Sequence, residues 1–221
     1  MYIFSTPGFP ILLVLFLAAL ILRQWGAFSS KRVLKYLFTP LVTASVAAIA
    51  FCSMIDDGIT LYRSLILAAL VFSLVADVIL MVDEVDLLPH GIFYFMLAHG
   101  AFIAAFSLDY SFKTWHAAPA LGIIVFIVLF NRAVRGRTGG HDHHVLVYSI
   151  VIGVMMMTAV AHAGYGYPRK AIFVIAGASL FLVSDLLIAF LTFIRPHPRE
   201  SVIVWSLYAP AQLILALSCF A

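Results

Sequence analysis

The sequence predicts an all-α membrane protein of about eight transmembrane helices, forming a single transmembrane domain over residues 1–221. Apolar residues make up 64% of the chain and charged residues 10%, and the mean hydropathy is +1.11. Soluble domains carry about 25% charged residues, so this composition excludes an ordinary soluble protein. A helix needs about 20 apolar residues to cross the hydrocarbon core. The chain therefore has room for eight spans with short connections and for no second, soluble domain.

Eight apolar runs, separated by charged or Pro- and Gly-containing breaks, define the predicted spans. They lie near residues 4–22, 37–55, 62–82, 90–108, 116–131, 145–163, 171–194 and 201–220. The first run lacks a preceding basic segment and is followed by further spans, so it is interpreted as a span and not as a signal peptide. Cys52 and Cys219 lie within apolar runs, where a thiol behaves as a small hydrophobic group, and no disulfide framework is predicted.

The distribution of basic residues predicts the orientation in the membrane. The first, third, fifth and seventh connections hold nine Lys and Arg residues, whereas the second, fourth and sixth hold four. By the positive-inside rule, the odd-numbered connections are cytoplasmic and both termini are not. The net charge of +3 is small and the basic residues form no continuous patch, which argues against nucleic acid as a partner.

An internal similarity raises the alternative that the eight spans are two parallel repeats of four helices. Residues 74–80 (LVADVIL) align with residues 182–188 (LVSDLLI) at an offset of 108. Four spans separate the two segments, so both run in the same direction, as in membrane proteins built from parallel repeats. Short matches are common between apolar segments, and eight unrelated spans remain the other interpretation.

Two acidic residues, Asp77 and Asp185, lie well inside predicted spans. Placing a charged group there costs from about 2.5 to more than 10 kcal/mol, and such residues usually serve a function. The alternative is that each is a neutral or hydrogen-bonded residue in a polar helix-packing seam. Counting about 1.5 Å per residue from the connections places His99 level with Asp77, and Tyr208 and Gln212 level with Asp185.

Further polar residues are predicted on the same side. Lys35, Asn131 and Tyr148 lie at the ends of spans that face the odd-numbered connections, whereas His162 lies at the opposite end of its span and is excluded. The His-rich residues 141–144 lack helical spacing and are interpreted as a solvated loop, so no metal or other cofactor is predicted. No GxSxG, HExxH or phosphate-binding glycine motif occurs in the sequence, which leaves Ser or Cys nucleophile chemistry unsupported.

Six segments in this order together resemble the lysoplasmalogenase family, also called YhhN-like, of polytopic membrane hydrolases. The resemblance covers almost the whole chain and departs from the family pattern at Ala76, where Gly is usual, and at Ala209, where Tyr is common. Single segments carry little information in apolar sequence, but their order and spacing are specific. The segments are Lys35 with Pro40, 74–81 (LVADVILM), 96–99 (MLAH), Tyr148, 177–185 (GASLFLVSD) and 208–214 (YAPAQLI).

The resemblance implies hydrolysis of the vinyl ether bond of lysoplasmalogens, 1-alkenyl glycerophosphoethanolamines or glycerophosphocholines. The products would be a fatty aldehyde and glycerophosphoethanolamine or glycerophosphocholine. A lysophospholipid substrate and membrane lipids would be the partners, and a bacterial inner membrane the location. The implied catalytic residues are Asp77 and Asp185, and the implied substrate-binding residues are Lys35, His99, Tyr148, Ser184, Tyr208 and Gln212.

A pair of carboxyl groups suits this reaction, because a vinyl ether hydrolyses by protonation at carbon. Burial favours a neutral carboxyl group and two neighbours resist ionising together, so one Asp can donate a proton while the other stabilises the cation and orients water. The sequence leaves open which Asp is the acid. Two alternatives remain. One is a proton-coupled transporter of a small amphiphile. The other is a metal-dependent lipid hydrolase with His99 and both Asp residues as ligands.

Overall fold

The computed structural model describes residues 8–82, 85–108, 113–162 and 168–221. In these ranges the chain forms eight helices that are long and apolar enough to cross a membrane, and no strand, which confirms the predicted fold class of an integral membrane protein. The helices are α1 (Gly8–Phe28), α2 (Arg32–Asp57), α3 (Leu61–Leu80), α4 (Leu88–Ser107), α5 (Ala117–Val134), α6 (Asp142–His162), α7 (Pro168–Ala189) and α8 (Glu200–Leu217). A 3₁₀ turn (Thr114–His116) precedes α5, a π-helical turn (Phe190–Ile194) extends α7, and a second 3₁₀ turn (Ser218–Phe220) follows α8.

Most predicted span boundaries agree with the helices within about three residues, but the end of the first span is wrong. That prediction stops at residue 22 because it treats Arg23 as part of a connection, whereas α1 continues to Phe28 and buries Arg23. The second helix also begins five residues before the predicted span, at Arg32 instead of residue 37. The predicted start at residue 4 lies outside the described residues. The odd-numbered connections keep their basic excess without Arg23, and the orientation stays a prediction.

The helices surround a core to which α5 contributes little. Helix α8 packs against α1, α2, α3 and α7, while α4 packs against both α3 and α6. On α5 the buried residue is Val134, and large side chains such as Leu121 and Leu129 are exposed. Exposed apolar side chains are expected on a helix that faces lipid. Helix α5 therefore lies at the periphery of the bundle.

The second four helices follow the order of the first four at an offset near 108 residues. Helix α3 (Leu61–Leu80) corresponds in this way to α7 (Pro168–Ala189), and α2 to α6. Asp77 and Asp185 occupy equivalent places in the first of these pairs. The correspondence supports the interpretation as two parallel repeats, which remains a prediction.

Two consecutive polar residues attach α1 to α8. The Arg23 guanidinium donates hydrogen bonds to the Ser201 carbonyl oxygen at 3.0 Å and to the Ser201 hydroxyl at 2.6 Å, and it lies 4.1 Å from the centre of the Trp205 ring. Gln24 Nε2 donates to the Val202 carbonyl oxygen at 3.0 Å. Since buried polar groups need partners in a low-dielectric interior, these bonds fix the end of α1 against the first turns of α8.

Close packing of α7 on α8 depends on a glycine. A methyl group at Gly177 would lie 2.6 Å from Leu215 Cγ and 3.2 Å from the Ala211 carbonyl oxygen. At Gly100 on α4, by contrast, an added methyl group would meet nothing within 4 Å. Small residues at such contacts let transmembrane helices approach closely.

Replacing Gly177 with Ala is expected to lower the melting temperature of the detergent-solubilised protein. Overpacking of this kind costs about 1–3 kcal/mol, and each kcal/mol shifts the melting temperature of a chain of this size by roughly 2–4 °C. The matched variant Gly100→Ala should leave the melting temperature unchanged or raise it slightly, because Ala favours helix. Equal shifts for the two variants would contradict the proposed close contact.

Candidate active site

The two buried aspartates face one cavity. This cavity, of about 400 Å³, lies among α1, α2, α3, α4, α7 and α8, at the end of the bundle where the first, third and seventh connections meet. Asp77 on α3 and Asp185 on α7 both line it, with 6% and 7% of their surfaces exposed. The carboxyl groups are close enough to influence each other electrostatically. The structure thus brings together the two acidic residues that the sequence singles out.

Asp77 is held by donors from α2 and α8. The Thr43 hydroxyl donates to Asp77 Oδ2 at 2.5 Å, and Thr43 is fully buried on α2. The Tyr208 hydroxyl also interacts with the Asp77 carboxyl group, and the positive charge of Arg23 acts on it. Donors and a cation around a carboxyl group favour its ionised form. The surroundings of Asp77 therefore supply hydrogen-bond donors and a cation that offset part of the cost of burying this carboxyl group.

Asp185 ends a hydrogen-bonded chain that crosses three helices. Tyr148 Oη on α6 lies 2.6 Å from Asp185 Oδ2 and 2.9 Å from His99 Nε2 on α4. His99 Nε2 itself lies 3.5 Å from Asp185 Oδ2, and His99 Nδ1 lies 3.1 Å from Met155 Sδ. A thioether sulfur accepts hydrogen bonds and cannot donate them, so Nδ1 carries a proton.

The same heavy-atom positions can hold one further proton at either end of this chain. With the proton on Asp185, the carboxyl group donates to Tyr148 and Tyr148 donates to a neutral His99. With the proton on His99, Nε2 donates to Tyr148 and Tyr148 donates to an ionised Asp185. Only the direction of two hydrogen bonds changes between these states, because a phenol is both donor and acceptor. The arrangement is suited to passing a proton between His99 and Asp185.

The predicted substrate-binding residues fall into two groups by their placement. Lys35 and Tyr208 line the main cavity, and Tyr148 lines an adjoining crevice together with Asp185. His99, Ser184 and Gln212 are fully buried behind this wall. Gln212 Nε2 donates to the Tyr208 hydroxyl, and the Ser184 hydroxyl donates to the Phe181 carbonyl oxygen at 2.7 Å. These three residues support the wall from behind, and their role in substrate binding stays a prediction.

Sequence reasoning missed Arg23, Thr43 and Glu200. Thr43 could have been found from spacing, because Lys35, Thr39 and Thr43 recur every four residues and therefore share one face of α2. Both Lys35 and Thr39 line the cavity, and Thr43 contacts Asp77 deeper inside. Arg23 was hidden by its position at the end of an apolar run, where a basic residue usually marks a connection.

The outer part of the cavity carries charges of both signs. Lys35 supplies a cation and Glu200 at the start of α8 supplies a carboxylate, while the Arg23 cation on the same cavity wall is fully buried. Glu200 Oε1 accepts a hydrogen bond from Thr192 Oγ1 at 2.9 Å, and the Lys35 charge acts on Glu200. Placing a cation and an anion at one mouth creates a site that can match a zwitterionic group.

Other polar residues considered in the sequence analysis lie outside the lining of the main cavity. His162 lies at the far end of α6, where Nδ1 is 3.3 Å from the Phe106 carbonyl oxygen. Asn131 donates to the Ser149 hydroxyl at 2.7 Å between α5 and α6, and His141 Nε2 lies 3.3 Å from Asp86 Oδ2. Across the part of the chain that the structure describes, no three His, Cys, Asp or Glu side chains converge as metal ligands.

Comparisons with known proteins place the chain among membrane proteins of one family. The human protein Lysoplasmalogenase TMEM86A is 30% identical over 157 residues, which are 69% of this chain and 64% of that protein, and the bovine protein of the same name gives the same values. The pig protein Lysoplasmalogenase TMEM86B is 27% identical over 179 residues, 78% of this chain and 70% of that protein. The chain spans 64% of the length of the first two relatives. No solved structure matches it.

A family model gives the broadest agreement. The model of the YhhN family matches residues 31–219, which include α2 to α8 and all the residues around Asp77 and Asp185 except Arg23. Since this match covers most of the chain, the protein belongs to the YhhN family.

Proposed function

We propose that this protein hydrolyses the vinyl ether bond of lysoplasmalogens, releasing a fatty aldehyde and glycerophosphoethanolamine or glycerophosphocholine. The observation that carries the proposal is the placement of Asp77 and Asp185 on the wall of one buried cavity. The names of the human, bovine and pig relatives support the same reaction. A cavity with a charged mouth and an apolar surrounding also suits an amphiphile.

The charges around the cavity explain why the aspartate pair would hold one proton. Arg23 and Lys35 are cationic and Glu200 is an anion, so one ionised aspartate makes this set neutral. A second ionised aspartate would add an uncompensated negative charge to a low-dielectric site, which is costly. A zwitterionic head group brings no net charge. The pair would therefore keep its proton when substrate binds.

We assign the proton donor to Asp185 and the carboxylate to Asp77. Asp185 is coupled to His99 through Tyr148, at distances of 2.6 and 2.9 Å, so the proton that it holds can be shared along this chain. Asp77 has no such path to a histidine in the described part of the chain; it accepts the Thr43 hydrogen bond at 2.5 Å, and the charge of Arg23 acts on it, so its partners can support a carboxylate. Two neighbouring carboxyl groups with different surroundings can divide acid and base roles in this way.

The proposed reaction balances its protons within this pair. Asp185 donates a proton to the vinyl carbon that does not bear oxygen, and the resulting oxocarbenium ion is stabilised by the Asp77 carboxylate. Water then adds to the cationic carbon while Asp77 takes its proton, giving a hemiacetal. When the hemiacetal collapses, its hydroxyl proton returns to Asp185 and Asp77 protonates the departing glycerol oxygen. Aldehyde and alcohol leave, and both aspartates regain their starting states.

The first experiment is aldehyde release by the purified, detergent-solubilised protein from a 1-alkenyl lysolipid and from its 1-acyl counterpart. Aldehyde measured by mass spectrometry from the alkenyl lipid alone would support the proposal. Chelator should leave the rate unchanged. Folded protein that releases no aldehyde would overturn the proposal, and proton-driven lysolipid uptake by proteoliposomes would then identify a transporter.

Asp77→Asn and Asp185→Asn are each expected to reduce the rate of aldehyde release by at least about 100-fold, because each removes a proton-transferring group. The matched control is Asp57→Asn, an exposed residue of α2 that pairs with Arg63 at 3.0 Å away from the cavity. That variant should keep the wild-type rate. Full activity in either cavity variant, with normal melting, would refute the carboxylate mechanism.

Tyr148→Phe is expected to reduce kcat by roughly 10-fold to 100-fold and to change the pH dependence of kcat, because it removes the hydroxyl that hydrogen-bonds to the proton donor Asp185 and couples it to His99, while keeping the ring. KM should change little. Tyr94→Phe, on α4 and outside the cavity lining, is the matched control and should behave as wild type. An unchanged pH profile in Tyr148→Phe would exclude the relay.

Lys35→Gln is expected to raise KM for lysoplasmalogens several-fold with little change in kcat, because Lys35 would bind the lipid phosphate at the cavity mouth. Lys31→Gln provides the control, since Lys31 is exposed just before α2 and does not line the cavity. Steady-state kinetics in mixed micelles measures KM and kcat for both variants. Equal KM values for both variants would remove Lys35 from the phosphate site.

A further inference from the structure

We infer that the crevice between α4, α6 and α7 binds the hydrocarbon chain of the substrate, so that a single chain leaves the cavity sideways beside Asp185. This inference rests on the proposed function and adds the direction in which the lipid lies. The residues that line the crevice would limit the number and width of the hydrocarbon chains that the site accepts.

The crevice is narrow and adjoins the main cavity. It has a volume of about 70 Å³ and shares five wall residues with the cavity: Leu80, Leu88, Phe95, Asp185 and Ile188. Among these shared residues Asp185 carries the ionisable group. A molecule occupying both spaces would therefore place its middle part, where head and chain join, next to that carboxyl group.

Beyond the junction, the crevice that the structure describes has an apolar wall. Ile92, Val145 and Ile152 are buried side chains from α4 and α6, and Phe130 and Phe193 are half-buried at its outer edge. Two polar side chains lie on the wall. The Tyr148 hydroxyl is engaged with Asp185. The Ser149 hydroxyl donates to the Leu146 carbonyl oxygen at 2.8 Å and accepts from Asn131.

The wall formed by α7 leads from the carboxyl group towards the end of that helix. Asp185, Ala189 and Phe193 recur every four residues, and all three line the crevice. Phe193 belongs to the π-helical turn, a distortion that is frequent at functional sites. Phe130 on the peripheral helix α5 closes the other side. The chain would thus pass between α5 and the end of α7 into the bilayer.

The dimensions favour one unbranched chain. With a volume of about 70 Å³, against about 400 Å³ for the main cavity, the crevice admits a narrow hydrocarbon segment and has no room for a second chain. Because the chain moves from lipid into an equally apolar crevice, it gains little transfer energy there. The crevice would act by positioning the vinyl ether at Asp185 and by rejecting two-chain lipids.

The test compares a long-chain and a short-chain alkenyl substrate with the same head group. Ala189→Leu narrows the crevice and should lower kcat/KM at least 10-fold for a hexadecenyl lysolipid and less than about threefold for a butenyl analogue. Ala104→Leu, on the exposed face of α4, is the matched control and should affect neither. Phe193→Ala opens the outer edge and should increase the rate with a methyl-branched chain. The inference would be overturned if the ratio of kcat/KM for the long-chain substrate to kcat/KM for the short-chain substrate stayed unchanged in both crevice variants.

A binding measurement separates failure of the crevice from failure of the proposed reaction. A saturated ether lysolipid with a diazirine at the third chain carbon, photolysed on the intact protein, should label crevice residues, and Ala189→Leu should abolish that labelling. Labelling in the crevice by a protein that releases no aldehyde would retain the chain site and reject the reaction. Aldehyde release by a protein that is labelled elsewhere would retain the reaction and reject the chain site.

Discussion

The structure depends on one constraint, which is that two carboxyl groups lie in an apolar bundle with nearly all of their surface buried. Each is held by side-chain hydroxyls from other helices: Thr43 for Asp77 and Tyr148 for Asp185. An unpaired charge in such a place would cost several kcal/mol, so the donors on α2 and α6 are as necessary as the acids themselves. The helices that carry these donors therefore have to pack in a defined register around the cavity, and the tight Gly177 contact between α7 and α8 serves the same register.

The fold was largely predictable, because each span is an uninterrupted apolar run and helix is the one structure that satisfies its own backbone in lipid. Asp77 and Asp185 were predictable for the related reason that acidic residues are rare in spans. What failed was the end of α1. Arg23 has the chemistry of a connection residue, and only the partner groups on Ser201 and Trp205, 178 or more residues away, keep it in a helix. Sequence counting has no access to contacts of that separation.

The depth of each polar residue along the membrane normal was predictable, whereas its position in front of or behind the cavity wall was not. Counting residues places His99 and Gln212 at the level of the aspartates, but it cannot tell a side chain that faces the cavity from one behind the wall. His99 contacts the site through Tyr148, and Gln212 contacts it through Tyr208. Rotation of each helix about its axis decides this distinction, and that rotation is set by packing. Thr43 illustrates the opposite case, since its four-residue spacing from Lys35 and Thr39 indicates their common face without any contact information.

The attachment of α1 to α8 has a consequence for biogenesis. Spans enter the membrane in order during synthesis, and the cavity draws its walls from the first helix and the last. Until α8 is inserted, Arg23 lacks the Ser201 groups that hold it, and Asp77 lacks Tyr208. Nascent intermediates therefore expose a buried cation and a buried acid to lipid, and α8 has to close the bundle in one late step. A chain that lost its last span would leave both polar groups without these partners and would lack one wall of the cavity.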